Sequence, residues 1–199
     1  MIVRSLMAVA VLVMVVVGGS AAELVGVRGS STRFTATMEA TVGDKPVRLL
    51  LTGTALRQKV FVNVYAVASY VQEGASVRTA EQLAEVDCVK RLHLVMERAV
   101  EGKDMAAAFQ TAIRANHPAP AFAAEVEQLT RLLQGDSARK GDHIFLTHLP
   151  GMLTCRPTPG KADFTIRNPA FSRAVWDIYL GRNNLGEGIK KGLVSRIAP

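Results

Sequence analysis

The stretch GTALRQKVFVNVYAVASYV, Gly53 to Val71, sets one arginine and two tyrosines in a run that otherwise has the composition of buried strand. It is long enough for two strands or for one long bent one. Taken as continuous strand from Arg57 to Val71, its side chains alternate between two faces. Even positions (Val60, Val62, Val64, Ala66, Ala68) are small and apolar apart from Gln58 and Tyr70 at the ends, a face suited to packing against helices. Odd positions (Arg57, Lys59, Phe61, Asn63, Tyr65, Val67, Ser69) mix polar with apolar groups, as the walls of ligand clefts do. A single β-bulge would exchange the two faces beyond it. A guanidinium among apolar neighbours needs an anion or water, because leaving it unpaired in a low dielectric is costly. A carboxylate fits best, through two parallel hydrogen bonds, and a tyrosine hydroxyl can add a third. Two purely structural alternatives stay open: Arg57 pairs with an internal acid such as Glu39 or Asp44, or it sits at a hairpin turn in water.

Upstream, Glu23 to Ser31 is rich in Gly and Ser and reads as a flexible lead-in over residues 23–32, before the domain proper at 33–199. RFTATMEATV, Arg33 to Val42, alternates as a half-buried strand, and GDKP turns it into VRLLLTG. Downstream, Thr79 to Val86 reads as a short helix and Val89 to Glu97 as a strand with Leu92, Leu94 and Met96 on one face. GKDMAAAFQTAIRAN places Met105, Ala108, Phe109, Ala112 and Ile113 at helical spacing, and PAFAAEVEQLTRLLQG repeats the pattern up to Gly135. KGDHIFLTHLPG restores strand character, and LTCRPTPGKADFTIRN predicts a hairpin around Pro159 and Gly160. NPAFSRAVWDIYLG opens with a capping Asn168 and Pro169 at the first helical position, and GEGIKKGLVSRI predicts a last short helix. Strands first, a helical block, strands again and helices to close define an α+β domain whose antiparallel sheet is covered by helices on one side.

The chain opens MIVRSLMAVAVLVMVVVGGSAAEL: Arg4, an apolar run from Leu6 to Val17, then small residues ending at Ala22. That order predicts a secretory signal peptide over residues 1–22, cleaved before Glu23, and hence an exported, periplasmic protein. The alternative is a retained membrane anchor, for which the apolar run is short of the roughly 20 residues needed to span a bilayer. The remaining chain, about 177 residues, suffices for one domain with a real core. A net charge of +7 is scattered among acidic residues and lacks the clustered cations and aromatic platforms of a nucleic-acid groove, so no nucleic-acid partner is expected. Such a basic surface can attract anionic lipid, giving peripheral membrane contact as a long-range bias. Cys88 and Cys155 lie far apart and outside any CxxC pair; two buried thiols are favoured over a disulfide. His93, His117, His143 and His148 show no metal-ligand spacing, and no P-loop, dinucleotide fingerprint or GxSxG elbow occurs, so neither metal nor cofactor is expected.

GTALRQKVFVNVYAVASYV and the closing NPAFSRAVWDIYLGRNNLGEGIKKGLV resemble the chalcone isomerase fold family, and the order of elements between them extends the similarity over roughly Arg33 to Ile197. The resemblance implies an open-faced β-sandwich, a large antiparallel sheet with a helical layer and a ligand cleft between them. It also implies one of two functional classes. Some members cyclise chalcones by intramolecular oxa-Michael addition, using an arginine, a threonine and a helix-borne tyrosine. Others bind fatty acids through the same arginine and a strand tyrosine. Arg57 matches the arginine of both classes, and Tyr65 stands where the binders have tyrosine and the enzymes threonine. The enzymes' helix tyrosine falls near Met105, where no phenol is present, and their helix asparagine has no clear match. Ile178 and Tyr179 fall near the pair that sets specificity in the enzymes.

The expectation that follows is an exported, non-catalytic monomer that binds a small amphipathic carboxylate such as a fatty acid. Arg57 and Tyr65 would hold its oxygens, with Asn63, Phe61, Val67, Met105, Phe109, Ile178 and Tyr179 around it, and no catalytic residue is assigned. The alternative is an intramolecular lyase or isomerase acting on a chalcone-like phenol.

Overall fold

The computed structural model describes residues 23–135, 137–156 and 162–197. The signal peptide expected over residues 1–22 and the turn expected at Pro159 and Gly160 lie outside these. A two-stranded sheet pairs β1 (Leu24–Gly26) with β2 (Arg33–Thr35). The main sheet has seven strands in chain order, each antiparallel to the next: β3 (Thr37–Val42), β4 (Lys45–Lys59), β5 (Val62–Gln72), β6 (Lys90–Met96), β7 (His143–Leu149), β8 (Met152–Arg156) and β9 (Phe164–Ile166). Helix α1 (Ala80–Glu85) joins β5 to β6, α2 (Gly102–Asn116) and α3 (Ala123–Gln134) join β6 to β7, and α4 (Pro169–Leu180) and α5 (Glu187–Leu193) close the chain. The α+β class follows directly from this order of strands and helices.

Local chemistry accounts for the helix starts. The Thr79 hydroxyl accepts from the Gln82 N–H at 3.2 Å, and the Asn168 side chain accepts from Ala170 and Phe171 N–H groups at 3.0 and 3.1 Å, with Pro169 pre-set for the first turn. The helices pack on one face of the sheet, where Val67, Leu92, Leu94 and Met96 meet Phe109, Ile113, Trp176 and Tyr179. The other face carries a second, smaller core of Phe34, Leu49, Leu51, Ala66, Ala68 and Tyr70.

Two expectations are corrected here, and one left open is decided. Of the two readings of the opening stretch, two strands is the one adopted: β4 runs fifteen residues from Lys45 to Lys59, and Val60 and Phe61 make the turn into β5. Both turn residues have positive φ, 48° and 64°, as a two-residue hairpin loop requires, yet neither is the Gly, Asn or Asp that marks such loops in sequence. The parity is also reversed. Odd residues Val67 and Val71 face the helices, and even residues Ala66, Ala68 and Tyr70 face the second core. Both faces of β5 are therefore covered, and alternation of polarity could not tell them apart. Lastly, residues 23–32 are not a loose lead-in. β1 pairs with β2 in register Leu24 to Thr35, Val27 is buried, and the Arg196 guanidinium reaches the Glu23 carboxylate at 3.0 Å.

One close approach ties the end of the chain to the central hairpin. A β-carbon on Gly53 would lie 2.1 Å from the Gly192 carbonyl oxygen, and one on Gly192 would lie 2.6 Å from the Thr54 carbonyl. Two glycines thus let α5 lie directly on β4. The Thr52 hydroxyl, at a register shift beside Gly53, donates to Leu193 O at 2.8 Å. Cys88 and Cys155 are free thiols, the second buried.

Candidate functional site

A cavity of about 710 Å³ opens between one end of the sheet and the helices. Its floor is the end of β4, the start of β5 and the end of β6; its walls are α2, the last turn of α4 and the α4–α5 loop. Leu94, Met96, Met105, Phe109 and Ile178 make much of it apolar. Its volume falls in the range of small-molecule sites.

The polar spot in this cavity is Arg57 with two phenols. Arg57 and Tyr65 are directly opposed on β4 and β5. The Tyr65 and Tyr179 hydroxyls lie 3.3 Å apart, within reach of one hydrogen bond, so the pair keeps one O–H to spare. Burial pushes the Tyr65 hydroxyl above its usual pKa, opposed by the bond to Tyr179 and by the Arg57 charge. Burial raises Tyr179 further, and the neighbouring Tyr65 adds to it against the pull of Arg57. Both phenols are therefore neutral donors near pH 7, and the charge of the spot is that of the guanidinium.

Arg57 donates to the Leu185 carbonyl at 3.2 Å. Among the described residues it forms no ion pair, so neither Glu39 nor Asp44 neutralises it. It is half-buried rather than free in water. A carbonyl supplies one lone-pair partner and no charge, so the rest of the planar donor fork faces the cavity uncompensated.

The α4–α5 loop that carries Leu185 is clamped by asparagines. Asn116 donates to the Asp177 and Asn183 carbonyls at 3.2 and 3.0 Å and accepts from the Asn183 N–H at 3.0 Å. Asn184 donates to Gly181 O at 3.0 Å and accepts from Gly186 N–H at 2.8 Å. These contacts fix the carbonyl that orients Arg57. The pair Asn183–Asn184 was legible only as loop chemistry; that the loop closes onto Arg57 depends on the packing of α4 beside α2.

Of the residues expected at the site, Arg57, Tyr65, Met105, Phe109, Ile178 and Tyr179 line the cavity. Three do not, and each for a physical reason. Phe61 is 97% exposed at the hairpin tip. Asn63 is turned away by a bulge: Arg57 opposes Tyr65 while Gln58 opposes Asn63, which leaves Val64 unpaired and exchanges the faces between them. Its amide instead donates to Gly29 O at 3.1 Å. Val67 is packed into the solid core under the helices. Lys59, Val64, Arg98, Asn184 and Leu185 line the cavity without having been singled out in sequence.

Arg57 and Tyr65 lie on a hairpin and Tyr179 on a late helix, around a cleft between an antiparallel sheet and a helical layer. The family described as chalcone isomerase-like matches residues 31–195, and the chain belongs to that family. No curated protein matches the sequence closely enough to count as a relative. Among solved structures, a fatty-acid binding protein of Arabidopsis thaliana superposes with a TM-score of 0.67 at 18% identity, covering 86% of this chain and 96% of that one. At that identity the likeness speaks for the fold.

Proposed function

We propose that this protein binds a small amphipathic carboxylate of the fatty-acid class in the cavity, as a monomer and without transforming it. The observation that carries this reading is Arg57: a half-buried cation with no acidic partner among the described residues, beside a neutral phenol pair, at one wall of a largely apolar cavity. A carboxylate would accept two parallel N–H bonds from the guanidinium and the spare tyrosine O–H, and its chain would lie along Met96, Met105 and Phe109. The structural neighbour is itself described as a fatty-acid binding protein, which supports this class of ligand. The test is calorimetric titration with hexadecanoate and with hexadecanol. Saturable binding of the acid, weaker binding of the alcohol and loss of the difference in Arg57→Ala are expected. Equal binding of the acid by Arg57→Ala sinks the reading, and turnover of a chalcone would establish the isomerase in its place.

The same proposal includes export. Arg4, the apolar run to Val17 and the small-residue exit at Ala22 support a cleaved signal, and Glu23 would then be the first mature residue. N-terminal sequencing of the protein recovered from the cell envelope tests it; a chain that begins at Met1 would overturn it.

A further inference from the structure

The turn between β4 and β5 breaks two rules at once. Val60 and Phe61 both hold positive φ, a conformation that β-branched and bulky side chains avoid most. They also stand 82% and 97% exposed, with Val62 beside them at 47%. Three consecutive apolar residues project from a strained tip where Asn-Gly would relieve the strain and dissolve in water. Among the described residues, none covers these side chains.

The surroundings of the tip are basic. Lys59 precedes it and is exposed. Arg28 adjoins Gly29, whose carbonyl accepts from Asn63 on the first turn of β5. Arg98 follows Glu97, whose N–H bonds Val64 O at 2.9 Å. Arg139 and Lys140 reach the same end of the sheet, because Gly141 N–H bonds Met96 O at 2.8 Å. The nearby acids are turned to internal uses: the Glu97 carboxylate accepts from the Thr32 hydroxyl at 2.8 Å and from Ser30, the Asp142 carboxylate accepts from the Arg139 N–H at 2.7 Å, and Glu101 pairs with Lys103. Asp104 is the acid left on the cavity wall. Lys59 and Arg98 line the cavity as well as flanking the tip, so the basic rim and the opening are continuous.

We propose that the β4–β5 tip is a membrane-docking finger: Val60, Phe61 and Val62 enter the apolar boundary of an anionic lipid surface while the cations around them hold its headgroups, which sets the cavity opening against the bilayer. An apolar tip alone would fit many surfaces; the cationic collar selects a negatively charged one. Docking needs no cargo, so its failure and that of the carboxylate reading are separable.

The test is co-sedimentation with ligand-free vesicles of phosphatidylglycerol and phosphatidylcholine, and of phosphatidylcholine alone. Wild type and the double variant Val60→Asn, Phe61→Gly are compared with identical N-termini. Wild type is expected to bind the anionic vesicles and to release them as salt is raised. The double variant is expected to lose about tenfold or more in partitioning, while its thermal midpoint holds or rises, since Asn-Gly suits the turn. In Phe61→Trp, emission is expected to shift to the blue on anionic vesicles. Unchanged partitioning of the double variant, or unchanged emission of Phe61→Trp, overturns the proposal. So does sedimentation showing that the double substitution converts a dimer to a monomer, which would make a second copy of this chain the occupant.

Discussion

Two clusters of polar groups sit beneath the helical layer, and they are used in opposite ways. At the far end of the sheet Lys90 is wholly buried; its ammonium donates to the Leu83 and Ala84 carbonyls at the end of α1 and lies 5.2 Å from the Trp176 ring centroid. Beside it the His148 ring lies between the Ser172 hydroxyl at 2.7 Å and the Asp87 carboxylate at 2.9 Å. By residue type that is a nucleophile triad, but Ser172 is fully buried and does not line the cavity. Its hydroxyl also lies 3.2 Å from Met152 O. Lys90, His148, Ser172 and Asp87 all bond the chain's own atoms, while the buried Trp176 indole N–H has no hydrogen-bond partner among the described residues and faces no cavity. At the near end Arg57, Tyr65 and Tyr179 have fewer partners than bonding capacity, and they face space. A buried polar group marks a binding site when its bonding capacity points into a cavity, and marks architecture when the fold has consumed it.

The contrast predicts that substitutions at the two ends separate stability from binding. Lys90→Ala is expected to cost the most, about 3 kcal/mol in urea unfolding, through a cavity and two carbonyls left without donors. Affinity for hexadecanoate should stay within twofold or so. The same lysine gives a pH signature. Burial lowers its pKa from 10.5 to about 8, so between those values the unfolded chain holds the extra proton and stability rises with pH. The wild-type urea midpoint should therefore gain on that of Lys90→Met as pH is raised from about 8 toward 10.5.

Arg57→Ala is expected to weaken hexadecanoate binding by about 100-fold, roughly 2.7 kcal/mol, without moving the urea midpoint. Equal losses of stability and affinity would erase the distinction between the two ends. Gly53→Ala should destabilise by about 2 kcal/mol, since its β-carbon meets the Gly192 carbonyl and no flexible side chain can yield. Tyr179→Phe should cost least, about 1 kcal/mol in binding of the acid, measured by the same titration.

How far the sequence disclosed these features varied with the strength of local signals. Helix spans were legible because caps are local: Thr79, Asn168 and Pro169 announce α1 and α4, and the spacing of Met105, Phe109 and Ile113 announces the buried face of α2. The β4–β5 division was not legible, because Val60 and Phe61 are the residues least expected in a turn with positive φ. The face of β5 that meets the helices was misjudged because β1 and β2 cover its other side, leaving both faces apolar. Asn63 was lost to a bulge at Val64 that no local signal announces. Arg57 and Tyr65 stood out for the reverse reason: a charge and a phenol are costly in a buried run, so their presence alone asks for a partner.

The sequence by itself determined the capped helices and singled out the arginine and tyrosine that open onto the cavity, since each rests on neighbours within a few positions along the chain. Only the tertiary structure decided that Tyr179 joins Tyr65, that a backbone carbonyl rather than an acid meets Arg57, and that Ser172 and His148 are sealed away. Those outcomes depend on contacts between residues dozens of positions apart, set by how the helices settle on the sheet.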